Sequence, residues 1–533
     1  MILDLAESPI PFDELLDRNA QANPDRPAIA MAESDYVLTL ADYAQRAGDA
    51  ARYLAERGIG PGDRVAIWGQ NSYAWAIWLA GAAWRGASAV ALHPGLPRED
   101  LARSLAHARP SWLICDTVQR GRSLAELAQE AAESPALRAA GLRGLTVMKG
   151  GDGDVSYEDI LERGAAPAHL GKLGEPLNLQ FTSGSTGRPK LVVLSHRSLV
   201  VNSAITADRS NVTDRDALAS PLPLCHSGGL SSGLVMGIAT GALWCTTYRF
   251  RAELVLGQIE RHRCTVMQGT PTMFKATLDA LASSPRKIDV SSMRLGFVGG
   301  AHCPPDITRR MIEEMGCERM AIIYGQTEFG PTVSMTDGKE PGELAYISSG
   351  YALHGVEIRI ADPATNTPLP EGEVGEVQTR GPTIMSGYFD DPVATAATLL
   401  PDGWLRTGDL GKMHGKYLQI TARLKDVIIR GGENVSPFEV EEALRAMPGV
   451  REACVVGAPS AFWGEEICAV LSVAEGANIT VPALRAWCDE KLPRFQRPDK
   501  YVLRSELPML ESNKIDKRAV REAINAGAWP WAQ

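Results

Sequence analysis

Residues 64–94, "RVAIWGQNSYAWAIWLAGAAWRGASAVALHP", contain a short apolar run, a long Ala- and Trp-rich run and a second short apolar run. The middle run ends at a glycine, and the last run is stopped by Pro94. This pattern is typical of a strand, a buried helix and a second strand. It favours a layered α/β sheet with right-handed crossover connections.

The same alternation continues along the chain. Short β-rich runs that end in Gly, Pro or Thr recur in "LASPLPL" (218–224), "CTVMQGTP" (264–271), "MRLGFVGG" (293–300) and "MAIIYGQTE" (320–328). Ligands of open α/β sheets bind at the carboxyl ends of the strands, so the loops that follow these runs are candidate site loops. Residues 346–419 are richer in Gly, Pro and Val, which predicts a smaller β-rich subdomain.

The sequence therefore predicts an α/β protein with two domains. Residues 1–422 are expected to form a large N-terminal domain of layered α/β sheets plus the β-rich subdomain. Residues 423–533 are expected to form a small, mobile α+β C-terminal domain. A chain of 533 residues exceeds a single hydrophobic core, in agreement with this division.

Composition excludes several classes of protein. The formal net charge of −10 argues against a general nucleic-acid binder. The nine cysteines are scattered without a C-x-x-C pair, so neither a zinc site nor a disulfide framework is indicated. The N-terminus lacks the order of a signal peptide, and the apolar stretch Ala74–Trp84 is too short to span a bilayer. We expect a soluble, cytoplasmic protein without a membrane span.

"FTSGSTGRPK", residues 181–190, has the composition of a phosphate-binding loop. It differs from the common nucleotide-binding loop, because Arg188 and Pro189 separate Lys190 from the second glycine and Leu191 cannot bind a metal. The remaining groups form a set of N–H and O–H donors suited to anionic oxygens. A surface linker is the alternative. The residues concerned are Thr182, Ser183, Gly184, Ser185, Thr186, Gly187 and Lys190.

Two further segments carry groups that could bind a nucleotide, although each segment alone would more often be a turn with a solvated Thr-Glu pair or a capping aspartate. In "YGQTEFG" (324–330), Thr327 offers a hydroxyl, and Glu328 is a hard oxygen ligand of the kind that Mg²⁺ accepts beside phosphate oxygens. In "GWLRTGDLG" (403–411), Asp409 is a carboxylate that can accept both hydroxyls of a ribose. Arg423, fourteen residues further on, is a candidate for the same ribose or the phosphate.

The ordered set of these motifs closely resembles the adenylate-forming superfamily, which includes acyl- and aryl-CoA ligases, peptide-synthetase adenylation domains and beetle luciferases. The other segments of the set are "PLPLCHSGGL" (221–230), "ARLKDVIIRGGENVSPFEVE" (422–441) and "SNKIDKR" (512–518), so the resemblance covers nearly the whole chain. It implies ATP, Mg²⁺ and coenzyme A as cofactors and a small-molecule carboxylic acid as substrate.

The resemblance also implies roles for the N-terminal candidates. The hydroxyl-rich loop would hold the β- and γ-phosphates, Thr327 the α-phosphate and Glu328 the metal. Tyr324 and Gly325 would form one wall of the adenine site, and Gly299, Gly300 and Ala301 the other. His226 would gate the acyl pocket or sense the carboxylate, although a lone histidine is more often structural.

The C-terminal candidates have implied roles as well. Lys425 would be the hinge about which the tail rotates, with a solvated lysine as the alternative. Gly431 and Gly432 would border the pantetheine channel, or form a hairpin turn, or both. Lys514 would enter the site and stabilise the charge that develops as the carboxylate attacks the α-phosphorus.

The acyl pocket is expected along residues 223–243, with a wall near residues 298–303, and residues 221–243 contain no Asp, Glu, Lys or Arg. That absence favours an uncharged, hydrophobic acid, and four glycines in this segment suggest a bulky one: Gly228, Gly229, Gly233 and Gly237. Three readings stay open: a ligase that releases an acyl-CoA, a ligase that loads an acyl carrier protein, and a non-catalytic nucleotide sensor. The sequence does not indicate an oligomeric state.

Overall fold

The structure is a computed structural model, and it describes residues 2–148, 163–182, 189–301, 303–474, 476–477, 479–509 and 515–532. The chain divides into two compact units. The first unit consists of Met1–Glu357 and Thr379–Leu405, and the second of Ile358–Gln378 and Arg406–Gln533. The predicted α/β class, with a large N-terminal and a small C-terminal domain, is confirmed. The domain boundary at residue 422 stays a prediction.

The α-helices follow one another in this order: α1 (Ile2–Glu7), α2 (Phe12–Ala22), α3 (Leu40–Glu56), α4 (Tyr73–Trp84), α5 (Arg98–Ala108), α6 (Leu124–Glu133), α7 (Pro135–Ala139), α8 (His196–Ser210), α9 (Met236–Thr240), α10 (Ala252–His262), α11 (Pro271–Ala282), α12 (Pro305–Met315), α13 (Leu344–Ile347), α14 (Pro392–Thr398), α15 (Pro437–Arg445), α16 (Val481–Lys491) and α17 (Lys517–Asn525). A π-helix spans Gly228–Val235, and 3₁₀ turns span Thr327–Phe329, Leu424–Asp426 and Arg494–Gln496.

The strands are β1 (Pro27–Met31), β2 (Val37–Thr39), β3 (Arg64–Trp68), β4 (Ser88–Leu92), β5 (Trp112–Cys115), β6 (Val118–Gln119), β7 (Arg122–Ser123), β8 (Gly144–Val147), β9 (Pro176–Thr182), β10 (Lys190–Ser195), β11 (Ala217–Ala219), β12 (Leu243–Thr246), β13 (Val266–Gly269), β14 (Leu295–Gly299), β15 (Arg319–Gly325), β16 (Thr332–Met335), β17 (Tyr351–Ala352), β18 (Glu357–Ala361), β19 (Gly375–Arg380), β20 (Gly387–Tyr388), β21 (Leu405–His414), β22 (Tyr417–Arg423), β23 (Ile428–Arg430), β24 (Glu433–Val435), β25 (Val450–Ser460), β26 (Gly464–Val473) and β27 (Lys500–Arg504).

The first unit contains a nine-stranded sheet with the order β17-β16-β15-β14-β13-β11-β12-β1-β2. Its middle strands, from β15 to β1, are parallel, and antiparallel strands complete both edges. The parallel strands β11 and β13 are buried along their whole length. Strands that are covered on both faces read as continuous apolar runs, which is why the runs were visible in the sequence.

A seven-stranded sheet with the order β20-β10-β9-β4-β3-β5-β8 is the second large sheet of this unit. The stretch 64–94 supplies β3, α4 and β4, and β3 and β4 pair in parallel, as predicted. All twelve residues of α4 are buried. Ser72 begins this helix by accepting a hydrogen bond from the Trp75 N–H at 3.1 Å. A side chain at Gly81 would lie 2.5 Å from the Cβ atom of Ala50, so α3 and α4 pack at close range.

The second unit contains two sheets. A four-stranded sheet, β18-β19-β21-β22, confirms the β-rich texture between residues 346 and 419, and the larger part of it belongs to this unit. A five-stranded sheet has the order β24-β23-β26-β25, with β27 pairing in parallel to β26. Helices α15 and α17 pack against β25. The unit thus has the α+β composition expected of the C-terminal domain.

The nine cysteines are all buried free thiols. Burial raises the pKa of the Cys317 thiol to about 12, so that group stays protonated at neutral pH. In the described part of the chain, none of the helices combines the length and the apolar character needed to cross a bilayer.

Candidate active site

The hydroxyl-rich loop joins two paired strands of the first unit. Thr182, at the end of β9, is the register partner of Lys190, at the start of β10. β9 also pairs in parallel with β4, so Thr182 lies at the carboxyl end of a parallel strand, where ligands of such sheets bind. The candidates Ser183, Gly184, Ser185, Thr186 and Gly187 lie outside the described residues, as does Lys514.

Lys190 and Glu328 are connected by an aromatic side chain that the sequence analysis did not single out. The Lys190 Nζ atom lies 4.4 Å from the centre of the Tyr388 ring. The Tyr388 hydroxyl donates a hydrogen bond of 2.9 Å to Glu328 Oε1. Burial, together with the nearby Glu328 carboxylate, raises the pKa of Tyr388. Tyr388 is therefore a permanent donor to Glu328 and a cation–π partner of Lys190.

The "YGQTEFG" segment runs from the end of β15 through the 3₁₀ turn and ends just before β16. The Thr327 and Ser227 hydroxyl oxygens lie 3.2 Å apart, which joins this segment to "PLPLCHSGGL". Gly325 is required here, because a Cβ atom at this position would lie 1.8 Å from the carbonyl oxygen of Pro331. The backbone of Glu328 is held by a 2.9 Å hydrogen bond from the Met385 N–H to its carbonyl.

The two predicted adenine walls follow neighbouring parallel strands. Gly299 ends β14 and is the register partner of Ile323 on β15, one residue before Tyr324. Gly300 has φ +81°, a backbone conformation that favours glycine, and Gly300 and Ala301 are exposed. Both segments therefore lie at the same edge of the nine-stranded sheet. Their contact with adenine stays a prediction.

The acyl segment folds differently from what its glycines suggested. Residues 228–235 form a π-helix, a rare form that recurs at functional sites. A Cβ atom at Gly229 would lie 2.2 Å from the carbonyl oxygen of Pro223, and one at Gly233 would lie 2.8 Å from Nε1 of Trp244. At Gly237 the nearest atom, the Ala242 carbonyl oxygen, is 3.2 Å away. At these three positions protein atoms fill the space, so the reasoning that the glycines leave room for a bulky acid is wrong there. At Gly228, where the nearest atom to a Cβ would be 3.9 Å away, it stays a prediction.

His226 lies beside a second histidine and a thiol. Its ring centre is 5.8 Å from that of His93, and one ligand atom each of His93, Cys225 and His226 fall within 4.8 Å of one another. The Nδ1 atom of His93 accepts a hydrogen bond from the Gly95 N–H at 3.1 Å, which puts the ring proton of the neutral form on Nε2. His93 is thereby disposed to donate rather than to bind a metal.

In the second unit, Asp409 and Arg423 face each other across the β21–β22 hairpin. They are register partners, and Arg423 Nε lies 3.2 Å from Asp409 Oδ1. The Asp409 side chain is 9% exposed, whereas that of Arg423 is 57% exposed. The Thr407 hydroxyl, which accepts from the Asp409 N–H at 3.1 Å, fixes the backbone before them. The structure thus brings together two residues that the sequence assigned to one ribose.

Lys425 and the paired glycines also lie in the second unit. Lys425 is exposed in the 3₁₀ turn Leu424–Asp426 that follows β22. Gly431 and Gly432, with φ +61° and +89°, form the two-residue turn between β23 and β24. The Gly431 N–H donates to the Trp463 carbonyl at 2.7 Å. The hairpin-turn reading of these glycines is confirmed, and their place in a channel stays a prediction.

Comparison with known proteins agrees with the motifs. The family model of the AMP-binding enzymes matches residues 16–389, and that of the AMP-binding enzyme C-terminal domain matches residues 439–514. YngI of Bacillus subtilis, a candidate acyl-CoA synthetase, is 34% identical over 95% of this chain and 96% of its own length. The human mitochondrial medium-chain acyl-CoA ligase ACSF2 is 32% identical over 96% of this chain and 87% of its own length.

A solved structure extends the likeness to the fold. It is the o-succinylbenzoate coenzyme A synthetase MenE of Bacillus subtilis in complex with ATP and magnesium. It aligns with a TM-score of 0.80 and 26% identity, and the alignment covers 95% of this chain and 99% of MenE. Two family models and relatives that match over nearly the full length show that this chain is an enzyme that belongs to the AMP-binding family, the adenylate-forming superfamily that its motifs resemble.

Proposed function

We propose that this enzyme joins an uncharged, apolar carboxylic acid of medium chain length to coenzyme A at the expense of ATP. In the first step, a carboxylate oxygen attacks the α-phosphorus of ATP, and the bond to the bridging oxygen breaks, giving acyl-adenylate and pyrophosphate. In the second step, the coenzyme A thiolate attacks the acyl carbon, AMP leaves, and the thiol proton passes to solvent. The same site would catalyse both steps, one after the other.

The observation that carries the proposal is the contact between Thr327 and Ser227. Thr327 belongs to the segment with phosphate-binding groups, and Ser227 to the uncharged segment expected to bind the acid, yet their hydroxyl oxygens are 3.2 Å apart. Glu328, the next residue, accepts a hydrogen bond from Tyr388, whose ring lies against Lys190. The contact between the segment proposed for the acid and the segment proposed for the phosphates supports transfer between them, because transfer requires the reacting groups to be close.

The chain's own residues would bind and orient the nucleotide. Lys190 and Thr182 would contact the β- and γ-phosphates, and Thr327 the α-phosphate. Glu328 fits Mg²⁺, because it offers hard carboxylate oxygens and Tyr388 orients one of them. The metal, when bound, would neutralise phosphate charge. In the second unit, Asp409 would accept hydrogen bonds from the ribose hydroxyls beside Arg423.

The remaining roles concern the acid and the thiol. The Lys514 ammonium would stabilise the charge that grows on the oxygens around the α-phosphorus and would then withdraw with the second unit. Lys425 would be the pivot of that movement. The narrow turn at Gly431 and Gly432 would admit the pantetheine arm. His226 would line the entrance to the acid site.

Two observations support the substrate class. Residues 221–243 carry no charged side chain that would pair with an amino acid or a dicarboxylate. A relative at 32% identity is a medium-chain acyl-CoA ligase. Gly229, Gly233 and Gly237 do not argue for a bulky acid, because protein atoms occupy the space beside them. An unbranched apolar chain is accordingly the proposed substrate.

Acid-dependent exchange of labelled pyrophosphate into ATP tests this proposal. Fatty acids of increasing chain length are expected to support exchange with an optimum at medium length, whereas benzoate, malonate and an amino acid are not. Addition of coenzyme A should then yield the acyl-CoA. Loading of a phosphopantetheinyl carrier protein but not of coenzyme A would identify a carrier-protein ligase instead. Nucleotide binding without exchange for any acid would identify a sensor.

A further inference from the structure

A buried asparagine holds the loop that precedes the π-helix. Asn71 lies two residues before α4, next to the N-cap Ser72, and is 4% exposed. Its Nδ2 atom donates to the Leu222 carbonyl at 3.0 Å, and its Oδ1 atom accepts from the Leu224 N–H at 2.8 Å. Nδ2 also donates to the Thr246 hydroxyl at 3.0 Å. One amide group therefore fixes both sides of Pro223 in the loop that leads to His226 and Ser227.

A second buried asparagine holds the turn that contains Thr327 and Glu328. Asn202 lies on α8 and is fully buried. Its Nδ2 atom donates to the Thr332 carbonyl at 2.8 Å and to the Phe329 carbonyl at 3.3 Å. Its Oδ1 atom accepts from the Thr332 N–H at 3.1 Å. The arrangement repeats that of Asn71: a single amide binds a donor and an acceptor of one loop backbone.

The two loops held in this way are the ones that meet at Ser227 and Thr327. We infer that Asn71 and Asn202 are positioning residues for acyl-adenylate formation, each setting one loop so that the acid and the α-phosphate are aligned. The kinetic effect that we expect from this inference rests on the proposed function. Its structural part rests only on the hydrogen bonds within the first unit.

The amide group is suited to this task because it combines two N–H donors with one acceptor oxygen in a plane. Aspartate at either position would keep the acceptor but lose the donors and place a charge among buried groups. Alanine would leave a backbone N–H and a carbonyl of the loop without a protein partner. Either change should let the loop move while the strands around it stay in place.

Hydrogen exchange measures the structural part directly and needs no substrate. In Asn71→Ala, peptides that cover residues 222–228 should exchange faster, while peptides that cover residues 327–333 should not. Asn202→Ala should give the reverse pattern. The matched control is Asn178→Ala, which removes another buried asparagine amide, one that donates to the Ala89 carbonyl at 3.3 Å. Exchange that rises equally throughout the protein, or not at all in the loop concerned, would overturn the inference.

Steady-state kinetics of the variants, compared with the wild-type enzyme, measure the consequence for adenylate formation. Asn71→Ala should lower kcat/KM for the acid by about a hundredfold, because a displacement of about 1 Å at the reacting groups has that effect. The KM for ATP should not change. Since Asn71 acts through the loop, Asn71→Ala combined with Ser227→Ala should lose little more than Asn71→Ala alone, whereas Asn178→Ala and Ser227→Ala should act independently.

Two kinetic results would refute the assignment. One is a clear rise in the KM for ATP in Asn71→Ala, where no change is expected. The other is that the effects of Asn71→Ala and Ser227→Ala on kcat/KM for the acid multiply, as they would for independent residues. A wild-type enzyme without acid-dependent exchange would refute the proposed function alone, because the hydrogen-exchange pattern would still decide whether the two asparagines hold their loops.

Discussion

Tyr388→Phe removes one hydroxyl group and keeps the aromatic ring. In the structure this hydroxyl donates to Glu328 at 2.9 Å, and the ring lies 4.4 Å from the Lys190 ammonium. The substitution therefore separates two functions of one side chain. Glu328 loses the donor that orients its carboxylate towards the proposed magnesium ion, whereas Lys190 keeps its cation–π partner.

The size of the effect follows from the type of bond. A hydrogen bond to a charged group contributes about 1.5–3 kcal/mol, and the lower end applies here because Glu328 is only half-buried. About 1.5 kcal/mol corresponds to roughly a tenfold decrease in kcat/KM for Mg·ATP. Tyr388→Leu also removes the ring contact with Lys190, which adds about 0.5–1 kcal/mol, or a further factor of about 2–5.

Acid-dependent pyrophosphate exchange, titrated with magnesium at fixed ATP, is the appropriate assay. Tyr388→Phe should require more magnesium for half-maximal rate. The matched control is Tyr43→Phe, because the Tyr43 hydroxyl is also buried and donates to the Ala76 carbonyl at 2.9 Å, away from the site motifs. An unchanged magnesium requirement in Tyr388→Phe, or an equal shift in Tyr43→Phe, would refute the reasoning.

Three further predictions use other residues. Lys514→Ala should lower adenylate formation by roughly a hundredfold or more and spare thioester formation from pre-made adenylate; equal loss of both half-reactions would contradict domain alternation. Asp409→Asn should weaken ATP binding in calorimetry by about tenfold, the value of one charged hydrogen bond, and Arg423→Ala by less because Arg423 is more exposed; the opposite order would exclude Asp409 as the ribose ligand. Burial raises the pKa of Asp116 from 3.8 to about 7, so its contribution to stability is full below pH 4 and is lost as the pH rises through 7, by up to about 4 kcal/mol. Asp116→Asn should therefore flatten the pH dependence of the free energy of unfolding between pH 4 and pH 7, and an unchanged slope in that range would show that another group is responsible.

The parts of the fold that the sequence predicted are those with strong local patterns. The strand–helix–strand unit at residues 64–94 was visible because the helix, the second strand and all of the first strand except Arg64 are buried, so that the three elements are almost entirely apolar. The turn at Gly431 and Gly432 was visible because two glycines between short β-rich runs are a hairpin signal. The pairing of Asp409 with Arg423 required the resemblance to a family as well as the residues themselves.

The parts that the sequence did not predict depend on contacts between distant residues. Tyr388 binds Glu328, sixty positions away in the chain, and stands in "MSGYFDD", which has no periodicity that marks a site. Asn71 and Asn202 bond to loops that are more than 120 positions away. Gly229, Gly233 and Gly237 misled for the same reason, because only the fold shows that Pro223 and Trp244 occupy the space beside them.

The burial of every cysteine has a practical value for testing the proposed rotation of the second unit. Reagents that alkylate thiols react with accessible thiolates, and the native nine are inaccessible. Ala102→Cys in the first unit and Ala526→Cys in the second would place one reactive group on each, at exposed positions. A donor and an acceptor dye could then be attached without removing any native cysteine. Energy transfer between the dyes, recorded while acid, ATP and coenzyme A are added in turn, would report a change in the distance between the two labelled positions after each addition. All nine native cysteines would stay in place.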